Sequence, residues 1–196
     1  MENKNNQLQA AMEIARLANI RKHASRVKVP CPKDFKTLPV SSDPHEIFVY
    51  AKPPFMLQLV GDGLIYTIQK GETFDDRMNK VILDMKRMSK FFIPYKELTN
   101  KQGILFKTFV QDMIFPSNGE KKIVRAAVAF FADNNPLGAQ TPVNPDFYQL
   151  VLSVGPFPYP PQQIKVGEIS PDDQPTMNLL KTFEDILDRI VIAKGE

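Results

Sequence analysis

The spacing of apolar residues changes from one stretch of the chain to the next, and each spacing predicts an element. Phe74, Met78, Val81, Met85, Met88 and Phe92 fall within about 80° of one another when wound at 100° per residue, opposite Lys80, Lys86 and Lys90. That narrow stripe predicts an amphipathic helix laid on a sheet. Thr73 stands at the cap position, Asp75 and Asp76 occupy the first turn where the helix dipole favours anions, and Pro94 is expected to end the helix. A second amphipathic helix is predicted from Met177 to about Ile192. Leu179, Leu180, Phe183, Ile186, Leu187 and Ile190 share one side of it, and Lys181, Asp185, Asp188 and Arg189 the other.

Between and around these helices the pattern is that of strands. "EIFVYA" leads to Met56–Val60 and Leu64–Gln69, which Gly61-Asp62-Gly63 separates in the form of a tight hairpin. Two longer runs, "GILFKTFVQDMIF" and "KKIVRAAVAFFA", are joined through Pro116-Ser117-Asn118-Gly119, where Asn-Gly marks the turn, and "DFYQLVLSV" supplies a further strand. Strict alternation of strand and helix is missing, which argues for an antiparallel sheet with its helices on one face.

The amino-terminal stretch reads differently. From about Asn6 to His23 the residues are good helix formers, but Leu8, Ala11, Met12, Ile14, Ala15, Leu17 and Ala18 cover well over half the helix circumference. An arc that wide suits a helix clasped by several elements or docked into a partner. Ser25 to Pro44 then carries four prolines and no helical period, so an extended arm is expected.

The expected fold class is therefore α+β. A mainly antiparallel sheet of about five to six strands carries two amphipathic helices, preceded by an N-terminal helix and extended arm. The expected parts are a helix and basic arm over 1–40, an α+β body over 41–154, a proline-rich strap over 155–175 and a C-terminal helix over 176–196.

Composition narrows the class of function. The chain has 196 residues, 43% hydrophobic and 24% charged, which is ordinary for one globular domain with appendages. The single cysteine, Cys31, permits no intrachain disulfide and no cysteine-based metal site, which favours a cytoplasmic protein or one inside a particle assembled there. No signal-peptide core is visible, and no apolar run approaches the roughly 20 residues of a membrane-spanning helix, so no membrane partner is expected. Charge is uneven. Residues 1–36 hold eight Lys or Arg against three acids, and residues 165–196 hold four against seven. Such polarity suits nucleic acid at the basic end or complementarity between copies, and two merely solvated ends would give it as well.

Catalytic equipment is scarce. His23 and His45 are the only histidines, each in a setting that suits exposure, and no zinc-protease, nucleophile-elbow or phosphate-loop motif occurs. Asp112, Glu120 and Lys122 have the residue types of a strand-borne metal-dependent nuclease site. Glu120 belongs to the turn, however, while Asp112 lies well down its strand, so the acids stand at different heights and Asp112 reads as a single polar strand position. Asp172-Asp173 reads as a turn or a helix-approach charge, and Cys31 has cations nearby in sequence but no base. No enzyme activity, cofactor or metal is expected.

"GPFPYPPQQIKVGEISPDDQP" holds six of the seventeen prolines. Pro158 to Pro161 satisfies P-x-x-P, yet Gln162-Gln163 stands where a proline-reading domain's ligand often places a cation. A stiff strap with Phe157 and Tyr159 as anchors is the better reading. The leading expectation is a non-enzymatic structural or assembly protein that binds other protein subunits, its own copies or different ones, within a larger complex or particle. Leu8, Met12, Leu17, Phe35, Phe157 and Tyr159 are its candidate contacts. The alternative is a single-stranded nucleic-acid-binding protein. It would use Arg16, Arg21, Lys22, Arg26 and Lys28 against phosphates, and sheet aromatics (Phe106, Phe109, Phe130, Phe131, Phe147, Tyr148) for stacking.

Overall fold

The structure, a computed structural model, describes residues 7, 11–12, 26–39, 46–60, 72–89, 91–132, 147–159 and 164–193. In chain order these residues form β1 (Val27–Lys28), β2 (Lys36–Leu38), β3 (Glu46–Lys52), β4 (Phe55–Val60), α1 (Phe74–Met88) and β5 (Phe92–Thr99). After them come β6 (Leu105–Ser117), β7 (Glu120–Ala132), β8 (Phe147–Pro158), α2 (Gln174–Leu187) and β9 (Val191–Ile192).

Seven strands form one antiparallel sheet in the order β2-β3-β4-β8-β7-β6-β5, and β1 pairs with β9 in a separate two-stranded ribbon. Its spine is the β6–β7 hairpin. Asn118 (φ 52) and Gly119 (φ 80) take the two left-handed positions of the turn, and Ser117 faces Glu120 across it.

This corrects the expected count of five to six strands and the separate extended arm. The described residues hold nine strands and two helices. Three of the additional strands, β1, β2 and β9, are two or three residues long. Pairing with distant segments creates them, so no local pattern announces them. A fourth, β5, begins where the apolar stripe predicts the end of a helix. α1 stops at Met88 with Ser89 as its C-cap, and Phe92 and Pro94 belong to β5, an edge strand where a missing N–H costs least. The arm is likewise part of the body: Val27 and Val29 are buried in the main core and β2 closes the sheet beside β3. The helix expected over 6–23 lies outside the described residues except for Gln7, Ala11 and Met12. The hairpin expected at Gly61–Gly63 and both histidines lie outside them too.

The helices do not share a face. On β7, Ala127, Ala129 and Phe131 join Leu179, Leu180, Phe183, Ile186 and Leu187 of α2 in the main core. Ala126, Val128 and Phe130, one position off, pack with Met78 and Val81 of α1 together with Phe92 and Phe109. A strand covered on both sides needs apolar residues at every position, and the unbroken run Ala126–Ala132 supplies them. β6 carries the same division: Phe106 and Val110 belong to the α2 side and Phe109 to the α1 side.

Both helices are capped from the sequence outward. Thr73 and Asp76 form a reciprocal capping box, with Asp76 N–H donating to Thr73 Oγ1 at 3.1 Å and Thr73 N–H donating to Asp76 Oδ2 at 2.9 Å. Asp173 caps α2, accepting from the Thr176 N–H at 3.1 Å. At its other end Asn100, buried, donates to the carbonyls of Leu187, the last helical residue, and Ile190, just past it, both at 3.0 Å; the Leu187 carbonyl also accepts from the Ile190 N–H at 3.3 Å.

Candidate interaction surface

The β6–β7 hairpin outruns its neighbours. β5 pairs with β6 only as far as Gln111, opposite Phe92, and β4 pairs with β8 only from Val154, opposite Phe55. Beyond those limits Met113–Ser117, Glu120–Val124 and Gly155–Tyr159 continue as a three-stranded tongue, roughly 15 Å long at the rise of a strand. Lys122 faces Pro158 across it, and Tyr159 N–H donates to the Lys121 carbonyl at 2.9 Å.

The tongue is apolar where it is exposed. Met113 (45% exposed), Ile114 (37%), Phe115 (36%) and Tyr159 (38%) stand in solvent together with Pro116, Pro156 and Pro158. Strand alternation places Met113 and Phe115 on the face of Phe109, and Ile114 and Pro116 on the other. Consecutive residues therefore present apolar groups to both sides. Lys121 holds its ammonium 6.0 Å from the centre of the Tyr159 ring. Pro116 withholds an N–H from the outer edge, which discourages indiscriminate strand addition while leaving the side chains available. In sequence the signal is "MIFP" directly before an Asn-Gly turn, a place where alternation with polar residues is the rule.

Beneath the tongue sits a buried ionic network. Arg125 and Asp112 are cross-strand neighbours and both are buried. Arg125 Nε and Nη2 donate to the two Asp112 oxygens at 2.6 and 2.7 Å, a bidentate pair. Nη1 donates to Asp173 Oδ2 (3.0 Å), Thr176 Oγ1 (2.8 Å) and the Glu168 carbonyl (3.1 Å), and Nη2 also donates to the Lys165 carbonyl (2.8 Å). Gly167 N–H donates to Asp112 Oδ2 at 3.1 Å. One guanidinium thus ties β6 and β7 to residues 165–176. With its donors engaged and the group fully buried, the cluster is a latch and offers no ligand a place.

The latch sharpens two readings of the sequence. Asp112 is the single polar strand position expected, and it is buried with Arg125 as its partner. Asp173 is the α2 cap and at the same time a member of the latch. Five residues back from Ser117 and five forward from Glu120 lie Asp112 and Arg125, so the turn alone could have matched them.

The end of β8 is shaped by Gly155. Its φ of +131° suits glycine alone, and an added Cβ would stand 2.9 Å from the Ile123 carbonyl oxygen. The register shifts here between Ile123 and Arg125, and β8 continues through Phe157 and Pro158. The first residues of the expected strap are thus a strand, which is why Phe157 packs against the main core while Tyr159 is left at the rim.

The remaining candidates distribute as follows. Met12 is 64% exposed. Phe35 packs partly against the main core and lines a cleft beside α2. Arg26 is buried, its Nε donating to the Ala193 carbonyl at 2.8 Å, while Lys28 is exposed on β1. Leu8, Leu17, Arg16, Arg21 and Lys22 lie outside the described residues, as does the Phe147 side chain. Phe106, Phe109, Phe130, Phe131 and Tyr148 are buried in the two cores, where Phe131 stacks on Tyr148 and meets Phe106 at a tilt while Phe109 meets Phe130 edge to face, so they present no faces for bases. Cys31 is exposed, its thiol directed at the Phe35 carbonyl at 3.6 Å. Among the described residues no three or more His, Cys, Asp or Glu side chains are grouped to hold a metal, and no helix is long and apolar enough to cross a membrane.

No family model matches the chain, and no curated protein matches it. Among solved structures, LpqN, involved in cell envelope biogenesis of Mycobacterium tuberculosis, is similar over 86% of this chain and 83% of its own, at 18% identity and a TM-score of 0.36. A likeness that low carries no functional argument.

Proposed function

We propose that the protein is a non-enzymatic assembly protein that binds other protein subunits, and that the tongue formed by β6, β7 and the end of β8 is its contact surface. The carrying observation is the exposed row Met113-Ile114-Phe115-Pro116 with Tyr159 beside it, held on a three-stranded sheet extension. Clustered exposed apolar and aromatic groups with a polar rim are what partner-binding surfaces require, and a strand extension fixed by the Arg125 latch loses little entropy on docking. Met12, 64% exposed, supports a second contact from the N-terminal segment. The burial of the sheet aromatics weighs against the nucleic-acid reading, which needs them free.

A photo-crosslinking amino acid placed at Phe115 or Tyr159, compared with one at exposed Lys181 of α2, tests this reading. Discrete protein adducts at the two tongue positions, absent at Lys181 and lost in Met113→Asp, are expected. Equal or no labelling at all three positions refutes the surface.

A further inference from the structure

The last turns of α2 and the segment before β2 enclose a cleft of about 290 Å³ that the tongue does not touch. Pro32, Phe35, Phe55 and Ile186 give it an apolar floor, and Lys33, Lys52 and Arg189 stand around it with Asp185 and Thr182. Three cations face one acid. A neighbouring cleft of about 270 Å³, on the other side of Asp185, is acidic through Glu184 and Asp188, but its acids are already engaged. Glu184 accepts from Tyr95 Oη at 2.7 Å and pairs with Lys96 at 2.6 Å, and Asp188 pairs with Lys101 at 2.6 Å.

The cations of the first cleft are engaged far less. Lys52 pairs with Asp34 at 3.2 Å, both side chains about half in solvent. Arg189, exposed, directs its Nε to the Asp185 carbonyl at 2.9 Å, and its two terminal nitrogens have no acceptor among the described residues. Lys33 has no acidic partner among them either. A half-anchored guanidinium with its terminal nitrogens open, a lysine nearby and an aromatic floor form a receptor for an anion that carries a hydrophobic body.

We propose that this cleft binds an apolar carboxylate, an aromatic or branched hydrocarbon body on Phe35, Phe55 and Ile186 with its carboxylate on Arg189 and Lys33. The inference is independent of the assembly reading. The volume suits a single small acid or the last residue of a polypeptide, which share this chemistry. Asp185 is the element of discrimination, since its carboxylate disfavours a second negative charge on the ligand's body.

The test is a two-dimensional amide NMR titration of the full chain with 3-phenylpropionate, its carboxamide and phenethylamine. Two further probes are an acetylated tripeptide ending in Phe with a free carboxylate and the same tripeptide amidated. Phenylpropionate or the free-acid tripeptide is expected to shift the amides of Lys33, Phe35, Lys52 and Ile186, and to bind at least about tenfold more tightly than its uncharged counterpart. Arg189→Gln and Lys33→Gln should each weaken it about tenfold, with the melting temperature unchanged. If the tripeptide acid is preferred the natural source is a chain terminus, and if it is shut out the source is a free organic acid. The proposal is overturned if acid, amide and amine shift these residues alike, or if none does at 20 mM probe in low salt.

Discussion

Replacing Arg125 by methionine removes the latch without emptying its volume, and the structure fixes what that should cost. Six hydrogen bonds disappear, two of them to Asp112 and one to Asp173, and the side chains of both acids are at most 2% exposed. Breaking a buried ion pair by deleting one partner costs about 3–5 kcal/mol, most of it for the charge left behind. Two acids are stranded here, but Asp112 keeps the Gly167 N–H and Asp173 keeps Thr176, so a value near the upper end, about 4–5 kcal/mol, is expected. Against a total stability of roughly 5–15 kcal/mol this is a large fraction, equivalent to a fall of about 10–15 °C in Tm for a chain of this size. The chain has no tryptophan, so urea unfolding is best followed by far-UV circular dichroism together with tyrosine fluorescence from its five tyrosines. The pair Arg125→Met with Asp112→Leu should cost less than Arg125→Met alone, because an apolar replacement of a buried pair removes the stranded charge along with the bond. Hydrogen exchange adds a local readout: the Gly167 amide, bonded to Asp112, should lose its protection first in the double variant. A loss below about 1 kcal/mol for Arg125→Met, or a double variant as costly as the two singles summed, would refute the latch.

Other substitutions probe the parts that hold the tongue and α2 in place. Asn100→Leu should destabilise by about 3 kcal/mol in the same assay, since it takes a donor from the Leu187 and Ile190 carbonyls, of which Leu187 keeps the Ile190 N–H, and leaves the Gln102 and Ile104 N–H groups without their acceptor. Gly155→Ala should cost about 2 kcal/mol or more, because the new methyl meets the Ile123 carbonyl at a backbone angle alanine avoids; a neutral result would mean the β8 bulge is not as described. Alkaline titration tests the Tyr95–Lys96–Glu184 cluster. Glu184 raises the Lys96 ammonium above its ordinary 10.5, chiefly through their hydrogen bond, and burial followed by Glu184 raises the Tyr95 hydroxyl above its ordinary 10.0. Both folded-state values are raised, so the stability they lend is complete below the ordinary values and is lost as pH rises through the folded ones. Unfolding free energy should therefore fall above about pH 10, and Glu184→Gln should flatten that fall.

Elements set by local chemistry were legible in the chain. The stripe Met78–Val81–Met85, the Thr73 cap, the Asn118–Gly119 turn and the strand runs on either side of it each depend on residues close in sequence, and each appears in the fold. What pairing across distance decides was not. β1 and β9 exist because residues 27–28 meet residues 191–192, and Phe92 belongs to a strand because β6 offers it an edge. The placement of the helices on opposite faces was implicit in the unbroken apolar run of β7, but helical and strand periods read separately do not say which side of a sheet a helix takes. The candidate site divides in the same way. The sequence alone singled out Phe157 and Tyr159 as aromatic anchors amid prolines, because stiffness and ring content are local properties. Only the tertiary structure set one ring partly buried against the core and the other at the rim, matched Arg125 to Asp112 and Asp173, and left "MIFP" in solvent. Burial and ion pairing depend on what the rest of the chain brings alongside, and a linear order of residues does not contain that distance.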